Sequence, residues 1–493
     1  MSPHRELHVR AESNHAVARI AEGISAIGAE LGVQAAFPPD VEAAAARAAA
    51  APRLPAADCT DIAFVTLDPA SSRDLDQAVH ISRTGDGYLV RYAIADVGAF
   101  VEPEGVIDVE AHRRGETLYG ADAKIALHPQ VLSEGAASLL PDQTRPALLW
   151  EMSLDALGRL AWEADAELPL GTGVRVARTL VRSRAKLDYI SAQADLDAGV
   201  AGEVVGLLAE VGRLREGLER ARGGVSLPRP EQEVRVSDDR WELSFRRPLP
   251  VEGWNAQISL LTGFSAAALM LRAGVGILRV LPEPQEQDIA RLRHTARGLG
   301  IDWPAEVGYA PFIRDLDPGV PAEAAMITAS TRLLRGSGYV AFTDGAPDGA
   351  THAALAAPYA HVTAPLRRLV DRYAGEIAVA ICAGQPVPEW VLAKLAELPE
   401  TMRSSTRRAN AYERAIVDLV ETGLLHDRVG EVFAGVITAV EPRDETRGTV
   451  VIQEPAIEAQ VGDDQPLVLG AEVSVRLTTA DLTSRRVAFR VSR

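Results

Sequence analysis

Three aspartates within nine residues form the stretch of this sequence with the clearest potential for chemistry. Asp68, Asp74 and Asp76 follow a short apolar run at residues 62–67, which predicts a buried β-strand that ends before Pro69. Carboxylates this close together repel one another, so a buried cluster of them needs a cation. Hard divalent ions such as Mg²⁺ prefer oxygen ligands. The spacing alone leaves two interpretations open, a metal site and an acidic, solvated turn.

A second segment, YAHVTAPLRRLVDR at residues 359–372, places two consecutive arginines after a proline. Pro365 predicts a helix start, with Arg367 and Arg368 in the first turn. A positive side chain there opposes the helix dipole, so an anionic partner would account for it.

The acidic stretch resembles the signature of the RNase II / RNase R (RNB-domain) family of 3′→5′ exoribonucleases. In that family one aspartate ends a strand and three more follow in a D-x-D-D arrangement. Asp68, Asp74 and Asp76 match the first three, and Gln77 stands at the fourth position. The segment at 359–372 is similar to a second block of the family, and the resemblance extends over most of the chain.

The resemblance implies a reaction and the residues that carry it. A member of this family hydrolyses RNA processively from single-stranded 3′ ends to nucleoside 5′-monophosphates, with Mg²⁺ as the cofactor or Mn²⁺ in its place. In this sequence the implied metal ligands are Asp68, Asp74, Asp76 and Gln77. The implied catalytic residues are Asp76, Asp74 and Arg367, whose guanidinium can bind the scissile phosphate through two hydrogen bonds.

Tyr119 and Glu252 are further RNA-binding candidates by the same resemblance. Tyr119 matches an aromatic residue that stacks on bases near the 3′ end, a contact that tolerates any base, and the alternative is a tyrosine of the core. Glu252 opens a long apolar helix. It either contacts a ribose hydroxyl or favours the helix N-terminus.

Three basic residues complete the predicted RNA contacts. Arg184 and Lys186 alternate along a predicted strand, and that face meets either the RNA backbone or solvent. Arg368 either contacts phosphate or pairs with Asp371.

The pattern of elements predicts an α+β protein of three parts. Residues 1–55 predict a small helical module with helices at 14–32, capped by Ser13 or Asn14, and at 39–50. This module is either a helix-turn-helix for nucleic acid or a packing appendage. Residues 56–425 mix strands and helices without a βαβ repeat, and the resemblance implies an RNB catalytic domain of mixed sheets with surrounding helices. Short alternating runs over 426–493 predict a five-stranded barrel that resembles an S1-type OB domain.

Composition limits the function classes. A net charge of −17 argues against broad coating of nucleic acid, so any RNA contact is expected to be local. Cys59 and Cys382 are too far apart in sequence to suggest a disulfide framework or a zinc site. The N-terminus lacks an apolar signal segment, and the apolar stretch at 260–271 is too short to span a membrane. We therefore expect a cytoplasmic protein without a membrane, and a monomer, because a channel within one domain needs no partner subunit.

A second function class stays open because of Gln77. Replacing one carboxylate can displace a metal ion and slow hydrolysis while leaving an RNA channel intact. The alternative to an exoribonuclease is therefore a hydrolytically impaired RNA-binding protein of the same fold.

Overall fold

A computed structural model describes residues 14–120, 124–225, 231–237, 240–441, 443–452, 454 and 456–492. Its α-helices are, in chain order, α1 (Asn14–Glu30), α2 (Pro39–Ala50), α3 (Val106–Arg114), α4 (Ala161–Ala164), α5 (Tyr189–Asp197), α6 (Glu203–Arg222), α7 (Pro250–Ala273), α8 (Glu286–Gly298), α9 (Tyr309–Arg314), α10 (Pro321–Ser330), α11 (Leu369–Cys382), α12 (Glu389–Leu395) and α13 (Leu398–Leu425). Short 3₁₀ turns are Val97–Ala99, Thr331–Leu334, Ala353–Leu355 and His426–Arg428, and a π-helical turn is Leu132–Ala136.

The strands are β1 (Phe64–Leu67), β2 (Gln77–Thr84), β3 (Gly87–Ala95), β4 (Leu118–Tyr119), β5 (Lys124–Ile125), β6 (Thr144–Leu154), β7 (Val174–Leu187), β8 (Glu231–Ser237), β9 (Arg240–Arg246), β10 (Gly276–Val280), β11 (Gly338–Phe342), β12 (Thr351–His352), β13 (Ala357–Pro358), β14 (Val432–Glu441), β15 (Asp444–Ile452), β16 (Ile457–Gly462), β17 (Glu472–Asp481) and β18 (Arg486–Val491).

Two closed five-stranded barrels organise these elements. The first has the strand order β1-β2-β3-β6-β7 and closes through a parallel pairing of β1 with β7. The second has the order β14-β15-β16-β18-β17 and confirms the C-terminal barrel predicted from the sequence. The predicted α+β class is confirmed too. For the central part the sequence predicted mixed sheets without saying how they close. Its largest sheet is a closed barrel, which leaves no open edge.

The long helix α7 forms the centre of the largest core. Most of its side chains are buried, and Leu261, Leu269 and Met270 have no exposed surface. Among the described helices, α7 is the one long and apolar enough to cross a membrane, yet most of its apolar segment is buried inside the protein. Packing within the core therefore accounts for its composition.

The two N-terminal helices confirm the helices predicted at 14–32 and 39–50. Ser13, one of two predicted caps of the first helix, lies outside the described residues. Ile27 of α1 is buried in a core shared with α13 and the second barrel, and Glu30 pairs with Arg485 at 2.8 Å. Val41 of α2 belongs instead to a core of the first barrel. The two helices thus pack on different barrels.

A glycine of α7 allows a close approach that the site needs. A Cβ atom on Gly263 would lie 2.0 Å from Cε2 of the Tyr359 ring and 2.7 Å from the carbonyl oxygen of Ala360. The Ala360 amide donates to the carbonyl of Gly263 at 3.2 Å. The segment that begins at Tyr359 therefore lies directly on the backbone of α7.

We expect Gly263→Ala to destabilise the protein by roughly 1–3 kcal/mol, because the buried Tyr359 ring and the backbone beside it have no room to move. The matched control is Gly217→Ala in α6, where a Cβ meets nothing within 4 Å. That substitution should stabilise the helix by about 0.5–1 kcal/mol. Urea unfolding of both variants measures the contrast, and equal effects of the two would contradict the close packing at Gly263.

Candidate active site

The acidic loop, residues 68–76, joins β1 to β2 and is held against the end of β7. Lys186 of β7 donates from Nζ to the carbonyl oxygens of Ala70 and Ser72, both at 2.6 Å. Arg184 lies on the same strand and donates at 2.6 Å to a backbone carbonyl just before β1. The predicted strand is therefore present. In this structure Lys186 holds the loop and Arg184 holds the segment before β1, and the RNA contact proposed for both stays a prediction.

Asp76 is the buried carboxylate of the loop, with 5 % of its surface exposed. Its Oδ1 accepts a hydrogen bond from the Leu366 amide at 2.8 Å, and its Oδ2 lies 3.3 Å from Nε of Arg367. Burial raises the pKa of Asp76 to about 8, although the Arg367 charge and the Leu366 N–H both lower it. This contact joins two segments that are 290 residues apart in the chain.

The two arginines precede their helix, contrary to the prediction that Pro365 starts it. Helix α11 begins at Leu369, and Arg368 is extended with φ −134° and ψ 126°. Arg368 forms an isolated β-bridge with Glu116, which keeps its backbone out of the helical region. Its guanidinium makes two 2.8 Å hydrogen bonds to the carboxylate of Asp371. Of the two roles considered for Arg368, the pairing with Asp371 is the one seen.

Asp74 is paired with a lysine. Nζ of Lys124 lies 2.6 Å from Oδ1 of Asp74 and 2.9 Å from Oε1 of Glu134. Among the residues that the structure describes, no three His, Cys, Asp or Glu side chains converge as a metal-binding group. The carboxylates predicted as metal ligands therefore share one loop without forming a preassembled cluster.

Gln77 uses both ends of its amide. Nε2 donates to the carbonyl oxygen of Thr363 at 2.6 Å, and Oε1 accepts from the hydroxyl of Tyr92 at 2.5 Å. The Thr363 hydroxyl is in turn 2.8 Å from that of Ser259 on α7. An aspartate at position 77 has no N–H to give to Thr363. The glutamine thus has a hydrogen-bonding role in this chain that a carboxylate could not fill.

Three tyrosines lie near Arg367, of which Tyr92 is buried and Tyr119 and Tyr189 are half-buried. Burial raises the pKa of Tyr92, Tyr119 and Tyr189, and in each case the positive charge of Arg367 lowers it in part. The charge of Asp74 also acts on Tyr119, at the end of β4. The structure therefore brings the predicted stacking residue Tyr119 to the same place as the carboxylates and Arg367.

Glu252 adopts the second of its two predicted roles. It accepts a hydrogen bond from the Leu249 amide at 2.8 Å, which caps the first turn of α7, and it pairs with Arg246 at 2.5 Å. One turn along the same helix, Asn255 donates to the Tyr189 hydroxyl at 3.2 Å. The contact of Glu252 with a ribose stays a prediction.

Sequence reasoning missed several residues of this site. Tyr92 and Asn255 carry no signal of their own, because each lies inside a strand or helix with an ordinary composition. Thr363 lies within the segment at 359–372 but was not singled out there. Lys124 did carry a signal, since it is one of only three lysines in the chain.

The donors present suit a hard divalent ion. The carboxylates of Asp68 and Asp76 are oxygen ligands of the kind that Mg²⁺ prefers, and Asp74 stands between them in the loop. Burial disfavours the ionised form of Asp76, and a bound cation offsets that cost. Asp68 and Asp76 are therefore the strongest ligand candidates, and the carboxylate of Asp74 is shared with Lys124.

Two protein-family models match most of the chain. Residues 56–381 match the RNB domain, and residues 431–492 match the RNase II-type exonuclease C-terminal S1 domain. This chain belongs to the RNB family. The acidic loop and the segment at 359–372 both lie within the matched RNB domain, which confirms the resemblance seen in the sequence.

Individual relatives show the extent of the likeness. Ribonuclease R of Escherichia coli (strain K12) is 27 % identical over 409 residues, which is 78 % of this chain and 48 % of that protein. This RNB chain spans about half the length of the curated relatives it matches. The structure of Mycoplasma genitalium RNase R with ribose-methylated single-stranded RNA superimposes with a TM-score of 0.83 at 19 % identity, covering 96 % of this chain and 78 % of that one. The structure of yeast Ssd1, a pseudonuclease, superimposes with a TM-score of 0.69 at 16 % identity, covering 92 % of this chain and 57 % of that one. These structures share the fold.

The raised pKa of Asp76 predicts a pH dependence of stability in the absence of divalent ions. The carboxyl ionises near 3.8 in the unfolded chain and near 8 in the folded one, so the unfolded state binds fewer protons between these values. Asp76 therefore destabilises the fold progressively as the pH rises through that window. We expect Asp76→Asn, which does not titrate, to gain stability relative to the native protein from pH 4 to 8 and to hold that gain above pH 8.

Urea unfolding midpoints of both proteins in EDTA, over a series of pH values, measure this difference. Because only position 76 differs, the other titrating groups cancel. A difference that does not change with pH would contradict the raised pKa.

Proposed function

We propose that this protein is a 3′→5′ exoribonuclease that hydrolyses single-stranded RNA processively to nucleoside 5′-monophosphates, with Mg²⁺ as its cofactor and Mn²⁺ able to replace it. The observation that carries the proposal is the buried contact between Asp76 and Arg367 at 3.3 Å, which puts a carboxylate and a phosphate-binding group side by side. Its relatives named ribonuclease R support the same activity.

Arg367 is the group suited to the scissile phosphate. Its Nε faces Oδ2 of Asp76, which orients the planar guanidinium. A guanidinium oriented in this way can bind two phosphate oxygens and offset charge that develops as the phosphodiester is attacked. A divalent ion bound by Asp68 and Asp76 would supply an activated water and further charge compensation.

Tyr119 is the group suited to the base next to that phosphate. Tyr119 is the last residue of β4. The charge of Arg367 lowers the pKa of its hydroxyl and that of Asp74 raises it. Stacking of a base on a tyrosine is worth roughly 1–3 kcal/mol and tolerates any base, which suits an enzyme that shortens RNA of any sequence. The net charge of −17 confines such contacts to a local site.

We expect Asp76→Asn to abolish hydrolysis while RNA binding persists. A 5′-labelled single-stranded RNA with Mg²⁺ should give a ladder that shortens from the 3′ end with the native protein. The variant should be slower by at least about 10²-fold, the scale on which one positioned catalytic group acts. Asp86→Asn is the matched control, because Asp86 is an exposed residue of the turn between β2 and β3.

We expect the same oligonucleotide made as DNA to stay uncut, because the proposed substrate is RNA. Cleavage that starts inside the RNA, or an equal rate with Asp76→Asn, would contradict the proposal.

A second candidate function is RNA binding without hydrolysis, and one observation favours it. Position 77 is a glutamine and offers no carboxylate to a metal. Both ends of its amide are hydrogen-bonded, to Thr363 and Tyr92. A pseudonuclease also shares this fold.

The Gln77→Asp variant separates the two candidates. If the protein is an active enzyme, we expect the variant to gain no activity and to lose roughly 1–3 kcal/mol of stability, because the carbonyl of Thr363 loses its donor. Labelled RNA and urea unfolding measure both effects. A native protein that binds RNA without cutting it, together with a variant that does cut, would favour the second candidate.

A further inference from the structure

Lys124 lies where a cation on the acidic loop would be expected. Its ammonium is 2.6 Å from Asp74 and 2.9 Å from Glu134, and the three side chains are 23 %, 15 % and 13 % exposed. An ammonium is a compact charge with three donors, so it can bridge two carboxylates that would otherwise repel each other. Lysine is also rare in this chain, which has three lysines among its 51 basic residues.

The partners of Lys124 hold it in place. Glu134 belongs to the π-helical turn Leu132–Ala136, a type of turn that is frequent at functional sites, and its other oxygen accepts a 2.7 Å hydrogen bond from Gln130. Although burial lowers it, the carboxylates of Asp74 and Glu134 raise the pKa of Lys124 above its ordinary value. Lys124 is therefore a fixed positive charge beside the loop.

The other end of the loop is followed by an uncharged residue. Position 77 is a glutamine, and its amide is bound to Thr363 and Tyr92. Positive side chains already lie on the carboxylates here: Lys124 on Asp74 and Arg367 on Asp76, while Arg73 lies near Glu134 and Lys186 binds the loop backbone. A divalent ion on Asp74 would have to displace Lys124 or lie beside its ammonium in a largely buried site, which is electrostatically costly.

We propose that Lys124 is a built-in cation that takes the place of a second divalent ion on Asp74, so that the site takes one divalent ion. This inference rests on the proposed function, because it concerns the metal of the same site. Phosphodiesterases with two metal ions hold them about 3.5–4 Å apart on shared carboxylates. Here Lys124 already lies on Asp74, one of the three loop carboxylates predicted as metal ligands, and it acts as a positioning residue for Asp74.

The number of bound ions tests the proposal independently of hydrolysis. MnCl₂ is titrated into the protein, and free Mn²⁺ is followed by electron paramagnetic resonance. One series uses the protein alone, and a second adds a single-stranded RNA with a 2′-O-methyl ribose at its 3′ end. We expect one Mn²⁺ per native chain in both series. Lys124→Met should bind two, because Asp74 is released, whereas Lys124→Arg keeps the charge and should bind one.

Lys394→Met is the matched control, since Lys394 lies on α12, far from the loop in sequence, and pairs with Glu397 while 40 % of its side chain is exposed. It should bind one ion, as the native protein does. Two ions on the native chain, or a single ion on folded Lys124→Met, would overturn the proposal. Two ions on the native chain overturn the proposal even if Lys124→Met does not fold.

Cleavage of labelled RNA keeps this test apart from the proposed function. We expect Lys124→Met to lose about 10–100-fold in rate at low Mg²⁺, the usual effect of removing an outer partner of a metal ligand. One Mn²⁺ on the native protein and two on Lys124→Met, without any cleavage of RNA, would contradict the exoribonuclease activity and leave the role of Lys124 supported.

Discussion

The burial of a single carboxylate is the constraint on which this site depends. Asp76 is 5 % exposed, and a carboxylate in that position is costly unless donors and an opposite charge compensate it. Both come from one distant segment, through the amide of Leu366 and the guanidinium of Arg367. The first barrel, α7 and the turn before α11 must therefore fit together before the carboxylate can be accommodated.

A chain of hydrogen bonds makes that fit specific. Ser259 on α7 contacts Thr363, whose carbonyl accepts from Gln77, and Gln77 accepts from Tyr92 on β3. The core helix, the arginine-bearing turn, the acidic loop and the barrel are thus connected through polar side chains as well as through packing. Networks of this kind fix relative positions because each member leaves an unsatisfied partner if it moves.

Local patterns predicted much of the fold. The two N-terminal helices and the five short strands of the second barrel follow from periodicity and turn residues, which act over a few positions. The closure of the first barrel depends on the parallel pairing of β1 with β7, and nothing within either strand encodes it.

The same limit applied to the site. The residues of the acidic loop and Arg367 were recognised as a motif, and the structure brings them together. The prediction that a helix starts at Pro365 was wrong. A β-bridge to Glu116, which is far away in sequence, holds the backbone of Arg368 in an extended conformation. Lys124 was missed although it is one of only three lysines, because its role depends on the contact with Asp74, with which it shares no local pattern.

The separation of the two halves of the site has a consequence for biosynthesis. Asp76 and its donor Leu366 are 290 residues apart, and a chain is made from its N-terminus. While a ribosome is still adding the intervening residues, Asp76 lacks both the Leu366 amide and the Arg367 guanidinium. The unfinished polypeptide therefore cannot assemble this site until residues 366 and 367 have been added and have left the ribosome.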